Sequence, residues 1–422
     1  QLHRRQRQMC IRDSFSFIVQ TDSDDRSYLR IIDGDDSELT WELDLGETEL
    51  IKTSPVLTDV NNDGKIEVIV GYDDASGSLN LRAYSPILSC GLTGWSPGGT
   101  HMDELLWSWS DPDLAISRPS PSPSISISGH RPTTQLLLAD IDHDGVDEIL
   151  MSVWNQANEE INVLALDLGT TPPTSPIWAA SLDQGTHPSD PAYVKTDPST
   201  GYVLITTTDS STGAVWLWKL NGANGNEAWS PRSMGNTDGD SNVPHVRMPG
   251  PIVANLDSDA ALEVVVTIPT DLGGTGNADG AEYRALEVTD GQTELWSVNA
   301  IDGYADAPPL PVDTDEDGIS DYLCWVTWTM TSEGLTQERS GFTGCHNVNQ
   351  TIPTMEWSRT LDLVNSDGVL NDEVAVAPPS ILNIDGQDSP ELLVAYGRGL
   401  HAFDGDTAVS YTHLRAHETS TY

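Results

Sequence analysis

Apolar residues in this chain do not recur with the period of a helix; they come in short β-branched runs separated by acidic, glycine-bearing stretches. Five segments share one order, an apolar run, a polar loop and a second apolar run: SPVLTDVNNDGKIEVIVGYD, TQLLLADIDHDGVDEILMSV, GPIVANLDSDAALEVVVTIP, PPLPVDTDEDGISDYLCWVT and PSILNIDGQDSPELLVAYG. Further strand-like runs and polar turns follow each, and a Trp marks the last run of a unit: Trp41, Trp107, Trp178, Trp229, Trp296 and Trp357. Large rings at one repeat position read as core, filling the gap between one unit and the next.

One unit is therefore strand, acidic loop, strand, turn, strand, turn, strand. Units begin near residues 54, 133, 190, 249, 307 and 378. Four short antiparallel strands per repeat predict an all-β fold, a β-propeller of four-stranded blades, either seven-bladed or a fragment of a larger ring. Residues 15–45 supply the last three strands of a blade, and residues 378–408 the first three. The unit at 190–230 keeps its strands, but Lys195 replaces the first acid, so it keeps the blade and loses the loop chemistry. Between units, residues 117–131 (SRPSPSPSISISGHR) form a Pro/Ser connector with nothing to pack a core.

The loops follow D-x-[DN]-x-D-G-x-x-[DE]. Calcium takes six to eight hard oxygens, and carboxylates at alternate positions of a curled loop can supply them. The first loop offers Asp59, Asn61, Asp63, the carbonyl of Lys65, and Glu67; the second offers Asp140, Asp142, Asp144, the carbonyl of Val146, and Glu148. A third complete loop offers Asp313, Asp315, Asp317, the carbonyl of Ile319, and Asp321. Gly64, Gly145 and Gly318 stand where each turn is tightest. The loop with Asn255, Asp257, Asp259 and Glu263 has Ala260 at that place, and the loop with Asn383, Asp385, Gln387 and Glu391 lacks the third acid. An EF-hand shares the opening spacing but needs a Glu at position twelve and flanking helices. Position twelve here is Val70, Met151, Val266 or Cys324, each in a strand run, which excludes that reading. A metal-free acidic turn is the plain alternative for any single loop. Three nearly complete copies at the same repeat position outweigh it.

Composition narrows the function. Asp and Glu number 65 against 20 Lys and Arg, a formal charge of -45, which repels nucleic acid and anionic lipid. No apolar run is long enough to span a membrane as a helix. The termini depart from the pattern: 1–14 gathers Arg4, Arg5, Arg7 and Arg12, and 409–422 gathers His413, Arg415 and His417. Both resemble translated sequencing-adaptor read-through and are set aside from the fold, leaving 15–408 as the propeller. Cys324 and Cys345 flank a hairpin turn at Glu333-Gly334-Leu335 and can pair across it, with two free buried thiols as the alternative. A pair suits an oxidising, extracellular compartment. Cys90 has no evident partner, and Trp95, in GLTGWSPGG, reads as a loop anchor or a ring for stacking on a sugar.

The sequences DVNNDGKIEVIVG and DIDHDGVDEIL resemble FG-GAP or VCBS-type repeats, the blades of integrin α-subunit-like propellers. The endings IIDGDDSELTWELD and LEVTDGQTELWSV also resemble quinoprotein-like blades, whose Trp locks neighbouring blades together. The FG-GAP resemblance implies structural calcium in the hairpin between the first two strands, and no catalysis. The expectation is an extracellular, calcium-stabilised binding or adhesion module. Its protein or carbohydrate partner meets the loop face opposite the metal loops, where 117–131, MGNTDGDSNVPH and PTDLGGTGNADGAE would gather. Two other classes stand beside it. One is a propeller enzyme, a polysaccharide lyase or quinone-dependent dehydrogenase, for which the chain offers few basic residues and no clustered base; the other is a structural spacer of a surface protein.

Overall fold

A computed structural model of the chain describes residues 15–21, 27–33, 39–46, 50–61, 66–74, 76–85, 104–116, 134–169, 173, 175–209, 212–236, 249–259, 261–270, 280–303, 305, 307–333, 336–361, 378–382, 391–396, 399–404 and 410–415. These residues form strands and turns, arranged as antiparallel sheets together with one short parallel pair, Thr53–Ser54 with Thr134–Gln135. Sheet I holds Phe15–Thr21, Ser27–Asp33 and Leu39–Gly46, the three strands read from the sequence. Sheet II is Val56–Thr58, Glu67–Asp73, Leu79–Ser85 and Glu104–Asp111, with Leu50–Ile51 also on Glu67–Asp73; sheet III is Leu137–Ala139, Glu148–Asn155, Glu160–Asp167 and Pro176–Leu182, with Leu114–Ala115 also on Glu148–Asn155. Sheet IV is Ala192–Asp197, Thr200–Thr208, Ala214–Asn221 and Arg232–Asn236; sheet V is Ile252–Ala254, Glu263–Thr270, Gly280–Glu287 and Glu294–Asp302. Sheet VI is Leu310–Val312, Tyr322–Glu333, Thr336–Asn347 and Thr354–Leu361; sheet VII is Ser380–Leu382, Glu391–Tyr396, Gly399–Asp404 and Ser410–Arg415. Sheets I to III lie in a compact unit spanning Gln1–Leu182, and sheets IV to VII in a second spanning Asp183–Tyr422.

Within each unit, successive sheets pack face to face, which is why the second strands read as unbroken apolar runs rather than alternating ones. Every residue of Glu67–Asp73 is buried. Its Val68 and Val70 face Leu29 of sheet I, while Ile69 joins Trp107, Ile149 and Met151 between sheets II and III. In the second unit, Val264 and Val266 pack with Leu204 and Leu217 of sheet IV, and Val265 packs with Leu323 and Trp325 of sheet VI. Each such side chain contributes roughly 1.5–3 kcal/mol of burial. A charge at Val265, enclosed from both sheets, would break the stack.

The tryptophan rule has a backbone basis. Ala83 pairs with Trp107, Ala165 with Trp178, Ala285 with Trp296, and Cys345 with Trp357. The register shifts immediately after each of these pairs, so a bulge turns the fourth strand beside its ring. A small residue opposite the indole leaves room for it, and Trp107, Trp296 and Trp357 reach the core shared with the following sheet. Cys324 lies directly opposite Cys345, Cα to Cα 4.1 Å, and the two form a disulfide. At the same place the other sheets pair Ile69 with Ala83, Leu150 with Ala165 and Val265 with Ala285. The covalent bond replaces an aliphatic contact.

Three details depart from the sequence reading. Trp229 is not on a fourth strand: it lies in the connection before Arg232–Asn236, and its ring packs on Gly291 of sheet V, where a Cβ would fall 2.4 Å away. The Pro/Ser stretch does not join two blades but interrupts a strand, because Leu114–Ala115 and Leu137–Ala139 both pair with Glu148–Asn155. Sheet VII has a fourth strand, Ser410–Arg415, from a segment set aside on composition. An open sheet edge offers unpaired backbone groups to any extended segment that follows it, whatever its composition.

Candidate metal centres

Each acidic loop joins the first and second strands of its sheet. Two of the loops curl through left-handed backbone, at His143 and Gly145 in sheet III (φ 68 and 91) and at Glu316 and Gly318 in sheet VI (φ 59 and 91). Glycine adopts this at little cost, whereas His143 and Glu316 do so against a steric penalty. The carboxylates then hold the curl. The amide of Asp144 donates to Asp142 Oδ1 (3.1 Å) and that of Val146 to Asp144 Oδ1 (2.8 Å). The sheet V loop repeats the pattern with Asp259 to Asp257 (2.8 Å) and Ala261 to Asp259 (2.7 Å), and the sheet VI loop with Asp317 to Asp315 (3.2 Å) and Ile319 to Asp317 (2.8 Å).

The ninth position is where the loops depart from ordinary turns. Glu67, Glu148 and Glu263 are 0% exposed, and Glu391 is 1% exposed. One oxygen of each of the first three is held by the backbone amide of position two: Val60 to Glu67 Oε2 (3.1 Å), Ile141 to Glu148 Oε2 (2.8 Å), Leu256 to Glu263 Oε2 (2.6 Å). The other oxygen, Oε1, of Glu148 and of Glu263 is enclosed with no hydrogen-bond donor. Burial pushes the Glu148 carboxyl up to about 8, with the charges of Asp142, Asp144 and Asp140 adding to the shift. Burial likewise pushes Glu263 up to about 7, helped by Asp257, Glu287 and Asp259. Both are carboxylates short of positive charge, since a buried charge is costly unless paired.

Sheet VI solves the same problem with a shorter acid. Asp321 cannot reach as far as a Glu, and position two is Thr314, whose amide (2.9 Å) and hydroxyl (2.5 Å) both donate to Asp321 Oδ2. Asn349 adds a bond to Asp321 Oδ1 at 3.3 Å. Burial raises the Asp321 carboxyl, but these bonds outweigh it and hold the group below the ordinary carboxylate value.

Among the described residues the structure gathers three acidic groups, with ligand oxygens of each group within 4.8 Å of one another: Asp140, Asp142 and Glu148; Asp257, Asp259 and Glu263; Asp313, Asp315 and Asp321. Asp144 and Asp317, expected as ligands, stand outside these groups with one oxygen engaged by the loop's own amides. Asn255 Oδ1 and Asp313 Oδ1 are enclosed without a donor, facing the same need as the buried glutamates. Of the first loop, Asp59, Asn61 and Glu67 are described, while Asp63 and Lys65 lie outside the described residues. Asn383, Asp385 and Gln387 also lie outside them, as do Cys90 and Trp95; Glu391 alone represents the last loop. The donors on offer are carboxylate, amide and carbonyl oxygens, a set that fits a hard divalent cation of large and flexible coordination, calcium before magnesium.

Sheet IV has no such loop. Asp197 pairs directly with Thr200, so Pro198 and Ser199 alone turn the chain where the other loops curl, as the loss of the first acid at Lys195 led us to expect. The position-two clamp was invisible in the sequence because its donor is a backbone amide. Its signal was the pairing of an apolar second residue with Glu at nine, against Thr with Asp in sheet VI.

No family model matches the chain, and no curated protein matches it. Solved structures do. A europium-containing methanol dehydrogenase superposes with a TM-score of 0.51 at 9% identity, over 95% of this chain and 76% of that one. A hypothetical selenium-binding protein from Sulfolobus tokodaii superposes with a TM-score of 0.51 at 9% identity, over 94% of this chain and 91% of that one. At such identity the likeness is one of fold, and the fold is the β-propeller.

Proposed function

We propose that the chain is a calcium-braced propeller module of FG-GAP or VCBS type, a binding or adhesion scaffold that acts outside the cell and performs no reaction of its own. The carrying observation is the pair of fully buried glutamates, Glu148 and Glu263, each with one oxygen clamped by a backbone amide and the other left without a donor among acidic neighbours. A divalent cation supplies the missing charge there and draws the loop oxygens inward. The Cys324–Cys345 disulfide supports an oxidising compartment. The net charge of -45 supports a partner other than nucleic acid or anionic lipid, namely a protein or carbohydrate.

Ions bound only by the folded chain stabilise it by mass action, about 2.7 kcal/mol per site at a hundredfold excess over Kd. Protein stripped with a chelator should melt several degrees lower, recover on addition of calcium, and carry at least three calcium ions by elemental analysis. An unchanged melting curve with no bound calcium would remove this reading.

A further inference from the structure

Asn255 departs from its repeat position in a way that links two loops. The first residue of the loops in sheets III and VI is an aspartate, Asp140 or Asp313, and here it is an amide. Its Nδ2 donates to the carbonyl of Gly318 at 2.8 Å, and its backbone carbonyl accepts from the amide of Ser320 at 2.8 Å, both in the loop of sheet VI. An aspartate has no N–H and could not make the first bond. The Oδ1 of the same amide is enclosed without a donor, which leaves it for the ion of its own loop. On the far side of the bridge, the amide of Gly318 donates to Asp313 Oδ2 at 2.8 Å. One residue, Gly318, is thus held by the first ligand of one site through its carbonyl and by the first ligand of the next through its N–H, on the two peptide groups that flank its Cα.

We propose that the cation sites of sheets V and VI are coupled through Asn255, so that filling either one raises the affinity of the other. This rests on the reading that both loops bind calcium. An ion on Asn255 Oδ1 fixes the plane of the amide and polarises its N–H, which strengthens the bond to Gly318. A fixed Gly318 orders the loop that carries Asp313 and Asp315 before its own ion arrives, and lowers the cost of binding there. Linkage makes the effect reciprocal. Asn255 acts on the second site as a positioning residue, with the ion of the first as its input.

Calcium titration calorimetry on the full chain tests this with two silenced sites. E263Q removes the site of sheet V, and D315N/D317N removes that of sheet VI. Silencing either should weaken the remaining one by about 5- to 10-fold, the same factor in both directions. In an N255D background the ligand oxygen is kept and the bridging N–H is gone, so silencing sheet V should leave sheet VI unchanged. The reciprocal pair needs no change at position 255 and stands if N255D fails to fold. Equal affinities with and without the neighbour, or the same loss in the N255D background, would overturn the coupling. Absence of calcium binding in every variant would instead overturn the reading on which it rests.

Discussion

Sheets IV and V stack on each other in one unit, yet they hold their ends by different means. Sheet V closes its first hairpin with an acidic loop, Asn255 to Glu263, whose buried glutamate lacks a counter-charge. Sheet IV closes the same hairpin with Pro198 and Ser199, and Asp197 there accepts from the amide and hydroxyl of Ser199, each at 2.8 Å. In sheet IV a positive charge is supplied by a side chain. Lys219 stands opposite Leu204, where the other sheets place Ala83, Ala165, Ala285 or Cys345. It is 5% exposed, its Nζ donates to the carbonyl of Val288 in sheet V at 2.7 Å, and it lies 3.9 Å from the Tyr202 ring centre and 4.7 Å from that of Trp229. Arg232 adds a bond to the carbonyl of Gly291. In a chain with so few basic residues, two of them tie sheet IV to the turn of sheet V. Covalently attached cations would do locally what the proposed calcium ions do elsewhere, with a fixed stoichiometry and no dependence on calcium.

The largest expected effect separates the two sheets by calcium dependence. Under chelation, hydrogen exchange should accelerate at 140–148, 255–263 and 313–321, and the hairpin of Ala192–Asp197 with Thr200–Thr208 should keep its protection. A uniform acceleration would break the comparison. Next in size is Glu263→Gln. With calcium present it should cost about 2–3 kcal/mol by loss of the ion. In chelator it should be neutral or stabilising, because burial already disfavours the charged form. A cost of the same size in both conditions would mean that Glu263 serves packing alone.

The smallest effect tests the lysine. Lys219→Met keeps the stem and removes the ammonium, its bond and its two ring contacts; that loss, about 1–3 kcal/mol, is offset by relief of the buried charge, so the net change should be small and the same with or without calcium. Burial lowers the Lys219 pKa to about 8, against a partial counter-effect from Asp290. Between about 8 and the model-peptide value of 10.5 the unfolded chain therefore binds more protons, so stability should rise with pH across that window. Below about 8 the full cost of burying the charge is present, and above 10.5 it is gone. The methionine variant should show none of this rise relative to wild type in denaturant titrations at pH 8 and 10.

Much of the fold was legible because it is written in repeated side chains. The apolar runs gave the first and second strands of sheets II to VII, Asp and Gly at fixed offsets gave the loops, and the Trp positions gave the ends of the units. That Cys324 and Cys345 face each other was legible too, since they lie at equal distance from a turn, whereas the sequence left a disulfide and two free thiols both open. Trp229 misled because the pattern records that a ring fills the gap, not whether the ring sits on a strand. Lys219 was missed because a lysine in a strand run reads as solvent-facing, and only the stacking of Tyr202 and Trp229 encloses it. Asn255 read as one more ligand oxygen, since the sequence shows the oxygen it shares with aspartate and hides the partner of its nitrogen. The strand at Ser410–Arg415 owes its place to the edge it pairs with rather than to its composition.

The broken first strand of sheet III bears on how such a chain can grow. Leu114–Ala115 and Leu137–Ala139 together do the work of one strand, each anchored to Glu148–Asn155 on its own pairs. The cost of closing the stretch between them rises only with the logarithm of its length, about 0.6 kcal/mol for each doubling. The sheet is therefore nearly indifferent to how much chain is spliced in at that point. It is a port through which a whole foreign domain could be inserted and displayed without editing a single core residue.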